Sequence, residues 1–385
     1  MTAVAPAGIR FHHGSLIVPA GAVHTTPLGY DRDSVPIGAP LPLAASAELV
    51  HRLSGCGEVA VAFEGKLGDT LLALSGVRAV LDWLRLRSVR VAVRAVGPYA
   101  ELIARTGLIR QPQATTPSGW RAMIGDRPGI DAHGSEAAVS LVLDPAAPPC
   151  WSTDGHAHPD LPARHYLALE RRLGIRLPAT VPFAPTLATG PNNLVEELRS
   201  VGWLGGLTIA AVTATSWPER KDYTAQRYIE LAEHIAEAQQ DQARLLLIGG
   251  NPGDGLRITA EAPRRHVQAL RIDGMPTDGL ADLFPHCHLI VGNDTGLTHL
   301  AAMARGRGGG SPPVIGLYAR HSHSKWRTGL PHHHAVATNL SDRMHQGDLC
   351  PVRDAIAPDT DVHMDAFPPT ALTQVGLELL NGVRR

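Results

Sequence analysis

A short polar segment late in the chain has the residue types of an anion-binding site. It reads Asp294-Thr295-Gly296, with His299 one turn further on, and it directly follows an apolar run that predicts a strand. Asp or Thr is a good helix N-cap, and a glycine lets another group approach the backbone closely. The free N–H groups and the positive end of the helix dipole would then favour a bound anion. By itself the segment predicts either a capped helix or a phosphate site.

A second polar segment follows the first predicted strand of the N-terminal half. Gly65 and Gly68 predict a tight turn, and Asp69 and Thr70 stand at the start of the next apolar helix. In one interpretation the Asp69 side chain caps that helix. In the other, its carboxylate projects from the turn and takes a proton from a substrate as a general base.

Apolar periodicity predicts alternating strands and helices that would position these segments. The first half predicts strands at Glu58–Glu64, Val89–Val96 and Ala138–Leu143, and helices at Asp69–Leu86, Tyr99–Thr106 and His165–Leu173. The second half predicts strands at Leu207–Val212, Ala243–Ile248, Val267–Ile272, His288–Val291, Pro313–Tyr318 and Ala335–Thr338, and helices at Ala225–Ala238, Asp278–Phe284, Gly296–Arg305 and Pro369–Val383. Such alternation is typical of mostly parallel sheets covered on both faces.

The pattern divides the chain into two α/β lobes, with a linker at Leu177–Asn193, where Pro and Gly interrupt the periodicity. We expect an extension over residues 1–50 packed on the first lobe, a first lobe over 51–190, a second over 191–365 and a C-terminal helix over 366–385. The predicted fold class is α/β, with two Rossmann-like lobes whose parallel sheets face a central cleft. Ligands of such sheets lie beyond the carboxyl ends of the strands.

Composition narrows the class of protein. The 385 residues carry a formal net charge of −1 with only 4% aromatic residues, which argues against a nucleic-acid partner. The 4 cysteines include no Cys-x-x-Cys pair, which argues against a disulfide scaffold or a thiolate zinc site. The first residues lack a signal-peptide pattern, and no run of about 18 apolar residues occurs. We therefore expect a cytoplasmic protein without stable membrane insertion.

Together the two polar segments resemble glycosyltransferase family 9, the bacterial heptosyltransferase family, which has the GT-B fold. That family carries Gly-Asp before an apolar helix, here Gly68-Asp69, and Asp-Thr/Ser-Gly-x-x-His-x-x-Ala in its second lobe, here Asp294–Ala302. The resemblance extends from about Glu58 to Ala337 and is strongest at the later motif.

The resemblance implies an inverting glycosyltransferase, which moves a heptose or another hexose-like sugar from a nucleoside diphosphate sugar to an acceptor hydroxyl. The acceptor would be a lipopolysaccharide core or a small molecule such as an antibiotic. Asp69 would be the general base, with Gly68 and Thr70 in the turn near the acceptor. Lys221 aligns with the phosphate-binding lysine of the family, and Arg220 could replace it.

The remaining donor-site residues are also implied by the resemblance. Asp294, Thr295, Gly296 and His299 would complete the diphosphate and sugar site, and Thr213 and Asp254 are further candidates for donor binding. The chain departs from the family pattern in two places, with a glycine-rich insertion at Ala304–Pro313 and with Arg320-His-Ser-His-Ser-Lys325 after the next strand. The second departure adds positive charge beside the expected diphosphate site.

The 20 histidines form clusters at 156/158, 321/323 and 332–334, but no carboxylate or cysteine completes a metal-ligand set at fixed spacing. We expect solvated loop histidines, no metal, and no cofactor besides the nucleotide sugar as co-substrate. Two other classes stay open, a nucleotide-sugar epimerase of the same fold and a non-enzymatic two-lobed binding module. A nicotinamide dehydrogenase is disfavoured because Gly65–Asp69 lacks Gly-x-Gly-x-x-Gly. Nucleotide, sugar, acceptor and oligomeric state stay open.

Overall fold

The computed structural model describes residues 10–12, 15–20, 43–109, 112–113, 120–127, 137, 139–142, 150–151, 157–158, 160–173, 183–250, 252–306, 308–347 and 364–383. The chain forms two compact units, a smaller unit over residues 24–187 and a larger unit that combines residues 1–23 with 188–385. The larger unit begins with two antiparallel strands, β1 (Arg10–His12) and β2 (Ser15–Val18).

The smaller unit is built on a parallel sheet. Its elements are α1 (Leu43–Cys56), β3 (Glu58–Ala62), α2 (Leu67–Leu86), β4 (Ala92–Val96), α3 (Ala100–Arg105), β5 (Pro112–Gln113), β6 (Ala122–Gly125), β7 (Val139–Val142), β8 (Cys150–Trp151), β9 (Ala157–His158) and α4 (Leu161–Arg172). The strand order is β5-β4-β3-β6-β7. β3 lies in the middle with Val59, Ala60 and Val61 buried, which explains its continuous apolar run.

Helix α2 starts two residues earlier than the sequence predicts. It begins at Leu67, so Gly68 and Asp69 lie in its first turn, and Gly65 and Lys66 make the connection from β3. An acidic residue is favourable in a first helical turn because it faces the positive end of the helix dipole.

The larger unit contains the remaining elements. They are β10 (Leu187–Ala188), where the two units join, α5 (Asn193–Ser200), β11 (Leu207–Val212), α6 (Pro218–Lys221), α7 (Ala225–Gln239), β12 (Ala243–Gly249), β13 (Arg257–Ala260), β14 (Val267–Asp273), α8 (Thr277–Leu283), β15 (Leu289–Asn293), α9 (Gly296–Met303), β16 (Ala304–Arg305), β17 (Val314–Tyr318), β18 (His333–Ala337), α10 (Asn339–Gln346) and α11 (Pro369–Val383). Its nine-stranded sheet has the order β1-β2-β18-β17-β15-β11-β12-β14-β13. The strands from β18 to β14 are parallel, whereas β2 and β13 pair antiparallel to their neighbours.

One core joins this sheet to helices α7 and α11. Tyr228 and Leu231 of α7 and Leu372 of α11 pack with Leu245 and Leu247 of β12, and all five are buried. Helix α9 ends earlier than predicted, because residues 304–305 form the short strand β16, which pairs with β10.

The prediction that residues 1–50 pack on the first lobe is wrong for the first two strands. β2 pairs with β18 in the larger unit, with Val18 opposite Ala335, and every residue of β2 is buried. Without β2, β18 would leave an open sheet edge with unpaired backbone groups. Helix α1 contacts β3 and β7 of the smaller unit.

A buried arginine adds to the contact between the N-terminal strands and the larger unit. Nη1 of Arg327 donates to the carbonyl oxygens of Val18, Pro19 and His333, each at 3.3 Å. The backbone N–H of Ala20 donates to Nδ1 of His334 at 2.9 Å. The first strands are therefore integral to the larger unit, because a buried guanidinium requires such acceptors.

Candidate active site

Three neighbouring strands of the larger sheet end at one edge with polar residues. β17, β15 and β11 are adjacent and parallel, so their carboxyl ends meet there. Asp294 follows β15, Lys221 ends α6 after β11, and His321 lies in the loop after β17. The fold thus brings two expected donor-site residues together with one that the sequence placed among solvated histidines.

The Asp294 carboxylate is the centre of this cluster. Its Oδ2 accepts a hydrogen bond from Lys221 Nζ at 3.0 Å and another from His321 Nδ1. Lys221 Nζ also donates to the backbone oxygen of Asp294 at 3.2 Å. The three side chains are largely buried, with exposed fractions of 8% for Asp294, 14% for Lys221 and 10% for His321. Charge-assisted bonds of this kind are stronger than neutral ones.

Opposing effects set the ionisation of the cluster. Burial raises the pKa of Asp294, but Lys221 and His321 outweigh burial and hold this pKa well below its usual range. Burial lowers the pKa of His299 to about 4, although the Asp294 charge opposes the shift. At neutral pH, Asp294 is therefore a carboxylate and His299 is uncharged.

The amino end of helix α9 borders the cluster. Thr295 is the N-cap, but its side chain accepts no hydrogen bond from the helix. Thr295, Gly296 and Leu297 are only partly buried, so the first backbone amides of α9 lie near the surface. His299 is buried one turn in, and its Nδ1 has no partner among the described residues. This end of α9 has the features of an anion site.

Asn293 was missed by the sequence reasoning, although it precedes the motif directly. Its Oδ1 accepts hydrogen bonds from the Tyr228 hydroxyl at 2.9 Å and from the backbone N–H of Tyr223 at 3.0 Å. Its Nδ2 donates to the carbonyl oxygen of Thr213 at 2.7 Å. Asn293 therefore ties the end of β15 to the loop after β11. A polar residue at the end of an apolar run was its only signal in the sequence.

The loop after β11 places an aromatic ring near the cluster. The Arg320 guanidinium lies over the Trp217 ring, with Cζ 5.7 Å from the ring centroid, a cation–π contact. Thr215 Oγ1 donates to Asp222 Oδ1 at 2.6 Å and accepts from the N–H of Trp217 at 3.2 Å. These bonds set the path of the loop that carries Lys221.

The remaining candidates for donor binding are Thr213, Asp254 and Arg220. The Thr213 hydroxyl donates to the carbonyl oxygen of Ile248 at 3.0 Å, which ties it to the neighbouring strand. Asp254 is exposed on a short turn after β12. The side chain of Arg220 lies outside the part of the chain that the structure describes.

The expectation of solvated histidines is wrong for His321, His323 and His333, all of which are buried. His333 lies on β18, and its Nδ1 accepts hydrogen bonds from the Thr328 hydroxyl at 2.9 Å and from the Thr328 N–H at 3.3 Å. His323 lies 3.3 Å from Asp342 Oδ1 through Nε2. The loop after β17 buries its polar side chains in hydrogen bonds, which apolar periodicity does not reveal. Residue 156 and the side chain of His158 lie outside the described residues.

In the smaller unit, the connection from β3 to α2 is held by Asp126, which the sequence did not single out. Its carboxylate accepts hydrogen bonds from the N–H of Gly65 at 2.6 Å and of Glu64 at 3.1 Å. The Tyr99 hydroxyl donates to the Gly65 carbonyl oxygen at 2.9 Å. A Cβ at position 65 would lie 2.5 Å from Asp126 Oδ2, so any other residue there would displace the Asp126 carboxylate from its bonds to this connection.

The expected base lies on this scaffold. Asp69 is partly exposed in the first turn of α2, and Gly68 beside it is also partly exposed. Thr70 is buried, with a hydroxyl that has no partner among the described residues. Burial raises the pKa of Tyr99, and the negative charges of Asp126 and Asp69 raise it further. The two carboxylates therefore lie close enough to one phenol to affect its ionisation.

The described part of the chain holds neither a metal-binding group nor a membrane-spanning helix. Within it, no group of three or more His, Cys, Asp or Glu side chains is arranged to hold a metal ion. Among the described helices, none combines the length and apolar character needed to cross a membrane.

Comparisons with known proteins agree with the fold and the motif. Residues 196–353 match the family model of glycosyltransferase family 9 (heptosyltransferase). Two solved structures share the fold. A glycosyl transferase of family 9 from Veillonella parvula has a TM-score of 0.56 and 13% identity over 84% of this chain and 97% of that one. The ADP-heptose LPS heptosyltransferase II of E. coli has a TM-score of 0.53 and 14% identity over 85% of this chain and 100% of that one.

The two solved structures define the GT-B fold of this chain, and the match to the family model identifies a glycosyltransferase domain over residues 196–353. This match to glycosyltransferase family 9 includes Asp294–Ala302, the motif at which the resemblance to that family is strongest. A comparison with curated protein sequences finds no match.

Proposed function

We propose that this protein transfers a sugar, a heptose or a related hexose-like sugar, from a nucleoside diphosphate sugar to an acceptor hydroxyl with inversion at the anomeric carbon. The observation that carries the proposal is the buried Lys221–Asp294–His321 cluster beside the amino end of α9, within the family 9 domain. Buried charges at the carboxyl edge of a parallel sheet are expensive to maintain, and binding sites are where they recur.

The donor diphosphate is proposed to bind the larger unit. The Lys221 ammonium and the backbone amides at Thr295 and Gly296 supply positive potential to an anion. As the glycosidic bond breaks, its electron pair leaves with the diphosphate, where negative charge grows. Cations and amides that are already oriented stabilise this growing charge more than they stabilise the ground state, which accelerates the reaction.

The acceptor hydroxyl is proposed to lose its proton to Asp69 of the smaller unit. The hydroxyl oxygen attacks the anomeric carbon on the face opposite the diphosphate, which inverts the configuration. Asp69 must then approach the hydroxyl to roughly 2.6–3.2 Å in the reacting complex. The Asp126 and Tyr99 bonds to the β3–α2 connection support Asp69 indirectly, because they fix the start of its helix.

The solved neighbour and the loop after β17 indicate which substrates to test first. The E. coli neighbour is named for ADP-heptose, so this nucleotide sugar is the first donor to test. The loop with Arg320 and His321 departs from the family pattern, which makes other hexose-like donors worth testing as well. Acceptors to test are a lipopolysaccharide core glycolipid and hydroxylated small molecules.

The first experiment is calorimetric titration of the protein with ADP, GDP, UDP and dTDP without added metal. We expect one nucleotide to bind, and we expect binding to be lost when residues 294–296 are replaced by alanine. Unfolding of the replaced protein is measured alongside, so that loss of binding is separated from loss of structure. If no nucleotide binds the folded wild type, alone or with candidate acceptors, the proposal is rejected.

Replacement of Lys221 by alanine is expected to weaken binding of the selected nucleoside diphosphate by about tenfold or more, since a charge-assisted hydrogen bond contributes about 1.5–3 kcal/mol. Titration calorimetry measures the change. Arg264→Ala removes an exposed positive charge from the same unit and is the matched control. Unchanged binding in Lys221→Ala would indicate that Arg220 or another residue contacts the phosphate instead.

Treatment with EDTA is expected to leave sugar transfer at its starting rate, because Lys221 and the α9 amides are proposed to stabilise the leaving diphosphate. The measurement compares initial rates before and after chelation and dialysis. Loss of activity that one divalent metal restores would contradict this assignment.

A further inference from the structure

His321 makes one hydrogen bond and retains one nitrogen for another. Its Nδ1 donates to Asp294, because a carboxylate can only accept. Its Nε2 has no hydrogen-bond partner among the described residues, and the ring keeps 10% of its surface exposed. The ring also packs against Trp326, with centroids 5.6 Å apart, so its plane is fixed from two sides.

The bond to Asp294 determines what Nε2 can do. A neutral imidazole carries a single N–H, and here Asp294 holds it on Nδ1, which leaves a lone pair on Nε2. A lone pair repels a phosphate oxygen. Only the protonated ring has an N–H at both nitrogens, so only imidazolium can bond Asp294 and a phosphate at the same time.

The charges around the ring favour this protonation when a diphosphate arrives. They include the Asp294 carboxylate after β15, Lys221 on α6, the neutral His299 on α9 and the Tyr318 phenol at the end of β17. Arg320 precedes His321 in the chain, with its guanidinium over Trp217. Asp294 and Lys221 offset one another, and a diphosphate ester adds two negative charges to the site. Negative charge near an imidazole stabilises its protonated form.

We propose that His321 is a ligand of the donor diphosphate that takes up a proton when the donor binds. The inference rests on the proposed function, since it assigns a further residue to the same donor site. Its consequence follows from linkage. Binding that takes up a proton weakens as pH rises, so we expect donor affinity to fall as pH rises.

The test uses nucleotide sugars because their diphosphate is esterified at both ends. Such a diphosphate has no group that titrates near neutral pH, unlike a free nucleoside diphosphate, whose terminal phosphate has a pKa of about 6. Any proton taken up must therefore come to the protein. The titrations use ADP-heptose, ADP-glucose, GDP-mannose, UDP-glucose and dTDP-glucose at pH 7 in two buffers of different ionisation enthalpy. The difference in heat between the buffers gives the number of protons taken up.

His321→Asn is the informative variant. The asparagine Nδ2 lies near the position of the histidine Nδ1, so the bond to Asp294 is retained while Nε2 is lost. His234→Asn, at an exposed position on α7, is the matched control. We expect the wild type and the control to take up a fraction of a proton on binding. We expect His321→Asn to take up none and to bind about tenfold more weakly at pH 6.

The outcomes separate the two proposals. Binding without proton uptake in the wild type, or equal uptake in His321→Asn, would overturn the role of His321 and leave the donor site intact. Failure of every nucleotide sugar to bind the wild type would reject both the donor site and the role of His321. Thermal unfolding of both variants identifies a variant that has lost its structure, and His321→Ala, which also lacks Nε2, then replaces His321→Asn.

Discussion

The Asp69→Asn variant is expected to lose about 10²–10⁴-fold in turnover, because an amide cannot take the proton of the acceptor hydroxyl. Donor binding should be nearly unchanged, since the diphosphate is proposed to bind the other unit. Initial rates of sugar transfer and calorimetric titration of the donor measure the two effects separately.

The matched control for this prediction lies five residues upstream. Glu64→Gln also removes one carboxylate next to the β3–α2 connection, where Glu64 is exposed and pairs with Arg127 at 3.4 Å. Its turnover should stay close to that of the wild type. Near-wild-type turnover in Asp69→Asn would assign the base to another residue, and equal losses in both variants would indicate a general electrostatic effect.

The Asp294→Ala variant is expected to lose about 3–5 kcal/mol of unfolding free energy, because it leaves Lys221 and His321 buried without their shared carboxylate. Donor binding should be lost with it. Denaturant unfolding of both proteins at pH 7 measures the change, and Asp241→Ala, at an exposed position after α7, is the control. A loss below about 1 kcal/mol would indicate that the cluster opens to water.

The difference in unfolding free energy between the wild type and Asp294→Ala is also expected to depend on pH. The pKa of Asp294 is lowered in the folded state, so its stabilising effect is complete above its unfolded pKa of about 3.9 and declines as pH falls below that value. The stability difference between wild type and Asp294→Ala should therefore be smaller at pH 3 than at pH 7. A difference that grows on acidification would contradict the ionised state of Asp294.

The pattern of apolar residues along the sequence predicted most strands of the larger sheet. β11, β12 and β17 are buried parallel strands, so they appear as continuous apolar runs bounded by glycine or polar residues. Helix α11 has the predicted bounds because its apolar spacing is helical throughout. The resemblance to glycosyltransferase family 9 placed Lys221 and Asp294 in one donor site, and each of them follows a strand of this sheet.

The features that apolar patterns in the sequence did not predict depend mostly on contacts between residues far apart in the chain. The pairing of β2 with β18 leaves no trace in either segment, since a short apolar strand fits any open edge. His321 and Asp126 hold other residues through hydrogen bonds, and a hydrogen-bond partner cannot be read from residue type alone. Helices α5 and α10 have apolar residues at helical spacing, Leu194 with Leu198 and Leu340 with Met344, but each is only 8 residues long. So short a run offers too few positions for the period to stand out in the sequence.

The place of β2 in the sheet has a consequence for how the protein is made. Arg327, which binds the carbonyl oxygen of Val18, lies 309 residues further along the chain. At a translation rate of about 5–20 residues per second, the ribosome needs roughly 15–60 s to bridge that distance. During this time the apolar segment of β2 lacks its partner strand, and the residues of the smaller unit are synthesised within the same interval. The larger unit is therefore completed after the smaller one, and its completion requires a segment that is synthesised before the smaller unit.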